Sequence, residues 1–402
     1  MSRATGRGGP LQGVRVVELT KVWAGPYVGK LLAFLGAEVI RVESLESLDV
    51  TRSFGVKDID NAPGFQAVNP QKLSVQIDMK TPQGVALILD LLGKSDLLVE
   101  NLRPGAVKRL GLGYEAVKAT RPDIVYVSMG MYGSDGPLAY QTGYAPCFAA
   151  LGGVSALVGH EPGVPVGMNV RYADSTFGAA AAFAATVALL HRRRTGQGQF
   201  VDVSAVETMS SMVGDSLMAH ALGGGLPQCE GNRHPQQAPH GVYPCRDGAW
   251  ISLAAPDDTA WQALAAAMDS PALARDINFA TVAQRKANET ALDAILATWT
   301  RTQDARELEA RLQALGVAAA KSQSSVDLVA DANLWTRGFY REVSDRQGAS
   351  KTIAGPSWKM SREAAITDAA PRLGEHNAYV LGELLGLSVE RQQDLCTAGI
   401  TR

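Results

Sequence analysis

Asp174 stands in the run Arg171-Tyr172-Ala173-Asp174-Ser175-Thr176-Phe177-Gly178, just ahead of an Ala-rich stretch with helical character. A carboxylate so placed can act as a nucleophile, forming an anhydride or thioester and dividing a hard acyl transfer into easier steps. The position equally suits an N-cap. Asp174 or Ser175 would then accept backbone N–H bonds that the first turn cannot satisfy internally, which is the ordinary use of aspartate there. One carboxylate alone does not choose between these readings.

Other clusters have plainer explanations. The run His191-Arg192-Arg193-Arg194-Thr195-Gly196-Gln197-Gly198-Gln199 could hold phosphate. More simply, its arginines complement the negative end of a helix dipole, and Gly196 or Gly198 supplies a left-handed stop before a strand at Phe200–Ser204. Cys229, His234, His240 and Cys245 have ligand chemistry, but their spacings match no paired zinc pattern. Gly133-Ser134-Asp135-Gly136 is not a G-x-S-x-G nucleophile elbow, so a serine hydrolase has little support. A strand, a turn with Gly25 and Gly29, a helix and a strand ending in Glu43 imitate a dinucleotide-binding unit. The glycines are spaced G-x-x-x-G, so the G-x-G-x-x-G that brings amides against a pyrophosphate is missing, and a plain βαβ unit explains the segment.

These groups are set in a chain of 402 residues, 46% hydrophobic, which exceeds what one core readily organises and points to two domains. With 38 basic and 40 acidic residues the formal charge is −2. Such a chain has no excess with which to neutralise many phosphates, so small molecules are expected as partners rather than nucleic acid. Four widely spaced cysteines and a start, MSRATGRGGPLQG, without an apolar signal core lead us to expect a reducing cytoplasm. The Ala-rich stretch Gly178–Leu190 is too short to span a bilayer and is expected to be a buried helix.

Elements that could position such residues follow from periodicity. Short β-branched runs at Val14–Leu19, Glu38–Glu43, Leu73–Asp78, Leu97–Glu100 and Ile124–Met129 alternate with helical stretches such as Val28–Leu35 and Thr81–Leu92. This predicts an α/β fold with a large Rossmann-like, mostly parallel sheet, because parallel strands need crossover connections. Ligands of such sheets sit at the carboxyl ends of the strands. Those ends carry Thr20 to Pro26, Glu43-Ser44 and Glu100 to Gly105. A Gly-, Pro- and His-rich loop from Gln228 to Pro244 marks a boundary. The expected division is residues 1–222 in the large domain, 223–325 in a smaller α+β domain, and 326–402 returning to the first. The smaller domain reads as one short strand followed by amphipathic helices such as Arg306–Leu315. The last part reads as strand-like segments near Tyr340–Val343 and a helix near Asn377–Leu385.

Several segments together resemble the class III CoA-transferases, the CaiB/BaiF family that includes formyl-CoA transferase. They are Pro10 to Val16, Ala24-Gly25-Pro26, Leu35 to Glu43, Asp78 to Gly84, Val99 to Gly105, Arg194 to Gln199 and Ala370 to His376. By this resemblance Asp174 is the catalytic aspartate, and coenzyme A enters as acyl-CoA substrate with no metal. Val22, Trp23 and Ala24 match the turn beside the thioester, while Asn101, Leu102 and Arg109 match positions that hold the adenine and phosphates. Arg109 is chemically suited, since a guanidinium pairs well with phosphate oxygens. The aspartyl intermediates hydrolyse readily, so a glycine-rich cover is expected from Gly223–Gly225 or Gly231–Pro239. The resemblance also implies two ring-like subunits threaded through one another, as a homodimer or as a heterodimer with a paralogous chain.

Departures bear on the substrate. Formyl-CoA transferase has glutamine where this chain has Trp23 and an arginine where it has Ser44; the added apolar surface of Trp23 suggests a bulkier or aromatic acid. Arg171 could pair with the second carboxylate of a dicarboxylic acid such as succinate, or be an ordinary surface arginine. Tyr144 falls where the related α-methylacyl-CoA racemases carry a Gly-His-Asp motif; here Gly143-Tyr144-Ala145 lacks both acid–base residues. A racemase-like or intramolecular transferase, a silent subunit supporting an active paralogue and, more distantly, an NAD-dependent dehydrogenase are the alternatives.

Overall fold

A computed structural model describes residues 6–160, 164–167, 171–225, 229–345 and 347–402. The chain divides into two compact units, the first from residues 1–155, 168–225 and 333–402, the second from 156–167 and 226–332. The crossings therefore fall slightly later than the sequence suggested. In addition, the Gly159–His160 and Val164–Pro165 hairpin joins the second unit, where the Cys229 thiol contacts the carbonyl of His160 at 3.8 Å.

The first unit is built on six strands: β1 (Arg15–Leu19), β2 (Glu38–Glu43), β3 (Leu73–Gln76), β4 (Leu97–Glu100), β5 (Val125–Gly130) and β6 (Gln199–Ser204). They lie in the order β3-β2-β1-β4-β5-β6, all parallel, which is the doubly wound arrangement. Val17, Leu19, Ile40, Val42 and Val75 pack one face against Leu87, Ile88 and Leu91 of the Pro82–Gly93 helix. Edge strand β3 is sealed by the returning C-terminal segment. There the Ser74 amide donates to His376 Nδ1 at 3.2 Å and the Gln76 amide to Asn377 Oδ1 at 2.8 Å. Val380 and Leu381 of the Ala378–Leu384 π-helix join the same core.

The opposite side of β1 and β2 is ionic. Glu18, Arg41 and Glu43 are buried, and a buried charge persists only with partners. Arg41 pairs with Glu18 at 2.7 Å and with Asp49. Lys72 reaches Glu18 at 2.9 Å, and Arg52 grips Glu43 through two bonds at 3.1 and 2.8 Å. Burial alone would raise the Glu43 carboxyl, but Arg41 and Arg52 hold it below its ordinary range. Glu43, at a strand end where a ligand was expected, is thus committed to an internal ion pair.

The Ala-rich helix runs from Tyr172 to Thr195, 24 residues, and is longer than its sequence suggested. On length and apolarity alone it could cross a bilayer, yet half of its apolar window is buried, with Ala181, Ala185 and Ala188 inside. Its C-terminus stops at Gly196, φ 74°. Arg192 pairs there with Asp96 at 2.8 Å and with Asp123 at 2.5 Å, so this basic run serves the fold.

In the second unit, His240–Pro244, Trp250–Ala254 and Ala318–Lys321 form an antiparallel sheet. Ile251 and Leu253 pack with Trp261, Leu292, Leu296, Leu308 and Leu312 from its helices. This is an α+β unit whose main sheet has three strands rather than the one expected.

Candidate active site

The strand order reverses between β1 and β4, and their carboxyl ends are tied together. The Lys21 amide donates to Asn101 Oδ1 at 2.8 Å, and Asn101 Nδ2 donates to the Lys21 carbonyl at 2.9 Å. Val22 follows with φ 72°, a left-handed conformation costly for a β-branched residue. Its amide is held by both oxygens of Asp49 at 3.2 Å. At Gly25 any side chain is excluded, since a Cβ would lie 2.6 Å from Thr20 and 2.7 Å from Asn101. The chain then enters the Ala24–Phe34 helix with Trp23 at its N-cap. Gly and Pro near the start made Ala24-Gly25-Pro26 resemble loop, but proline is tolerated within a first turn, where its missing N–H is not needed.

Asp174 reaches this turn from the opposite direction. Arg171, not Asp174 or Ser175, is the N-cap residue of the long helix, and Asp174 lies within its first turn. The capping explanation thus fails for both residues. Asp174 is 9% exposed, and no hydrogen bond to its carboxylate is present among the described residues. Burial raises its pKa, partly offset by Arg171. The two elements touch closely. Trp23 Nε1 donates to Ser175 Oγ at 3.1 Å, and a Cβ at Gly178 would fall 2.7 Å from the Ala24 carbonyl.

Turn and helix wall a cavity of about 900 Å³ in the first unit. Val22, Ala24, Asn101, Leu102, Arg109, Tyr144 and Asp174 all line it. Trp23 and Arg171 are not among its lining residues; the Arg171 guanidinium sits over the Trp23 ring, 5.2 Å from its centroid. The tryptophan face expected beside the reacting acyl group is therefore engaged by an arginine. Lys21, Lys80 and Arg103 bring further positive charge to the lining, and Met129, Met131 and Phe148 supply apolar surface. Lys21 and Arg103 fall in the strand ends expected to meet a ligand, whereas Lys80, Met129, Met131 and Phe148 carry no sequence expectation of a site, although Lys80 and Met129 sit at or just beyond carboxyl ends of parallel strands. Such a cavity can take a long, partly apolar polyanion and bring its reacting carbon to a desolvated carboxylate.

Gly223–Gly225 does not line the cavity, and residues 231–239 belong to the second unit. There Gly231 and His240 line a separate cavity of about 630 Å³. Cys229 and Cys245 are buried free thiols, and the His234 and His240 rings lie 5.5 Å apart. No group of three or more metal-ligating side chains occurs among the described residues.

Comparison with known proteins bears on this geometry. The profile of CoA-transferase family III matches residues 11–377. The chain is 33% identical to a succinyl-CoA–D-citramalate CoA-transferase of Chloroflexus aurantiacus over 94% of this chain and 95% of that one. It is 31% identical to a succinate–glutarate CoA-transferase of Agrobacterium fabrum, covering 93% and 96%. A crystal structure of a CaiB/BaiF family protein from Brucella suis superposes with a TM-score of 0.87 at 33% identity, covering 94% of this chain and 100% of that one. A doubly wound sheet with a cavity of about 900 Å³ at its reversal point and a family match over nearly the whole chain lead to one conclusion: the chain belongs to CoA-transferase family III and is a transferase whose substrates include acyl-CoA.

Proposed function

We propose that this enzyme moves CoA from succinyl-CoA to a second carboxylic acid through Asp174. The observation that carries the reading is a buried carboxylate with no hydrogen bond among the described residues, its pKa raised by desolvation, opening on a cationic and apolar cavity. A carboxylate stripped of solvent and donors is a better nucleophile than a solvated one. An Asp174 oxygen attacks the thioester carbonyl and expels CoA thiolate, leaving a mixed anhydride. The thiolate then attacks the Asp174 carbonyl carbon, releasing the donor acid and forming an aspartyl-CoA thioester. The acceptor carboxylate attacks that thioester and the thiolate completes transfer, regenerating Asp174. Val22 and Ala24 flank the acyl group, while Asn101, Leu102 and Arg109 hold the nucleotide end. The proposed acids are dicarboxylates, in keeping with the relatives' named substrates. Arg171, whose charge acts on Asp174, is assigned to the distal carboxylate.

The helix face bearing Phe183, Val187 and Leu190, exposed at 72, 49 and 47%, supports assembly with a second copy or a paralogous chain. A cytoplasmic location belongs to the same reading. A racemase reading gains no support from Tyr144 and Ala145, which offer no acid–base pair.

The test is incubation with succinyl-CoA and a panel of acids, followed by mass spectrometry of the Asp174 peptide. Donor-dependent labelling that Asp174→Asn abolishes together with exchange is expected; undiminished exchange in Asp174→Asn refutes the mechanism. Arg171→Ala should lower kcat/KM for dicarboxylates more than for monocarboxylates, and an equal loss for both removes its assignment.

A further inference from the structure

The Val22 turn is left-handed at a residue ill suited to it, and the group that holds it comes from a distant loop. Asp49 is fully buried. Its carboxylate accepts from the Val22 amide through both oxygens at 3.2 Å, from the Thr51 amide at 2.9 Å and from the Thr51 hydroxyl at 2.8 Å. Arg41 closes the set with an ion pair, and Arg41 is fixed in turn by Glu18. Asp49 itself is not among the cavity-lining residues, whereas Val22 and Ala24 are. The same turn abuts the first turns of the nucleophile's helix at two points, Trp23 on Ser175 and Ala24 against Gly178.

We infer that Asp49 is a positioning residue for the transfer reaction: its carboxylate holds Val22 in the left-handed conformation, and so sets the turn that flanks the reacting thioester against Asp174. Backbone strain at a functional turn persists only where surrounding contacts over-determine it. Here those contacts are the Asp49 carboxylate on Val22 and the Asn101 amide on Lys21. An asparagine at position 49 could keep one oxygen for Thr51, but it would turn an N–H toward Arg41 or Val22, both of which donate. The turn would then relax toward an ordinary negative φ. The inference rests on Asp174 being the nucleophile.

Because Asp49 is also part of an ion network, its substitution must be separated from simple loss of stability. Glycine adopts positive φ freely, so the substitution Val22→Gly removes the need for the clamp. We would measure kcat and KM for succinyl-CoA in wild type, D49N, V22G and D49N/V22G, with melting curves for each. D49N should lower kcat by about 10²-fold, the scale of a 1 Å misplacement, and should cost far less when V22G is already present. A merely structural Asp49 would cost the same in both backgrounds. Equal loss, or wild-type kcat in D49N, overturns the inference. Should D49N fail to fold, hydrogen exchange of the wild-type segment from Lys21 to Ala24 decides. Protection well above that of an unstructured peptide supports the clamp, and free exchange refutes it. The underlying mechanism fails differently, through retained exchange activity in D174N.

Discussion

Replacing Gly178 with alanine should damage the reaction more than the fold. Gly178 lies one turn beyond Asp174, on the same face of the long helix. A Cβ there would stand 2.7 Å from the Ala24 carbonyl oxygen and 3.1 Å from Tyr27. That oxygen is backbone and cannot swing aside, so the two helices must separate by several tenths of an ångström. Two opposing effects set the stability change. Glycine to alanine within a helix gains about 1 kcal/mol, whereas overpacking a close contact costs about 1–3 kcal/mol. The net loss is therefore at most about 2 kcal/mol, a few degrees in melting temperature for a chain of this size. The separation falls between Ala24 and the turn bearing Asp174, where a 1 Å displacement costs about 10²-fold in rate. Thermal melts and CoA exchange with succinyl-CoA would be measured on Gly178→Ala, with Gly214→Ala as control, because a Cβ at Gly214 meets nothing within 4 Å. A Gly178→Ala enzyme that melts higher and exchanges CoA at the wild-type rate would refute the claim that this contact sets the site.

Three further outcomes follow from the buried charges. In the proposed mechanism Asp174 reacts in its ionised form, and burial raises its pKa, so kcat/KM should fall on acidification at a pH above that of an ordinary aspartate; a pH–rate profile tests this. A carboxyl whose pKa is higher folded than unfolded contributes stability below its unfolded pKa, and this is lost as pH rises through the folded value. Asp174→Asn should therefore melt higher than wild type at neutral pH while losing activity, and a lower melting temperature would contradict the desolvation argument. Arg41→Met leaves Asp49 without its cation and Glu18 with Lys72 alone and should cost about 3–5 kcal/mol in urea unfolding; a loss below about 1 kcal/mol would mean the network is solvated.

What the sequence revealed depended on how locally each feature is determined. The bounds expected for β2 and β4 match the structure to the residue, because both strands are buried along their whole length and so carry the apolar, Val- and Ile- or Leu-rich signal of an inner parallel strand. β3 was expected to reach Asp78 but ends at Gln76, where the chain leaves the ladder and Asp78 instead donates its amide to Ile400 at 2.8 Å. The long helix was expected from about Gly178, with Asp174 or Ser175 as its cap, but it starts at Tyr172. Gly178 itself allows another helix to come close, a tertiary requirement with no local signature. Glu43 was misread for the same reason: its partner Arg52 is nine residues away, in a segment with no pattern to announce it. Asp49 left no trace in the reading, since nothing in Leu48-Asp49-Val50 forecasts a clamp on residue 22. Asp174 reads in the sequence as a choice between cap and nucleophile; its place inside the helix removes the cap, and the nucleophile is the proposal that Asp174→Asn tests.

In the proposed mechanism Asp174 is the carboxylate left free to react, and the way the sheet end distributes its charges supports that assignment. The long helix is the last part of the crossover from β5 to β6, and a crossover helix starts at the carboxyl edge of a parallel sheet and runs back along it. Its first turn is thereby delivered to the edge where β1 and β4 end. Several buried carboxylates belong to these strands and the loops beside them, and nearly all are spoken for. Glu18 is held by Arg41 and Lys72, Glu43 by Arg52 and Arg41, and Asp49 by Arg41 and three further donor groups. Glu100 accepts from Ser128 and from the Leu102 amide. A carboxylate with its lone pairs so engaged is stable and unreactive. Asp174 has no such hydrogen bonds among the described residues, and burial destabilises its charge. Acylation removes that charge, so part of the cost of holding Asp174 ionised in the folded protein is released as the covalent bond forms.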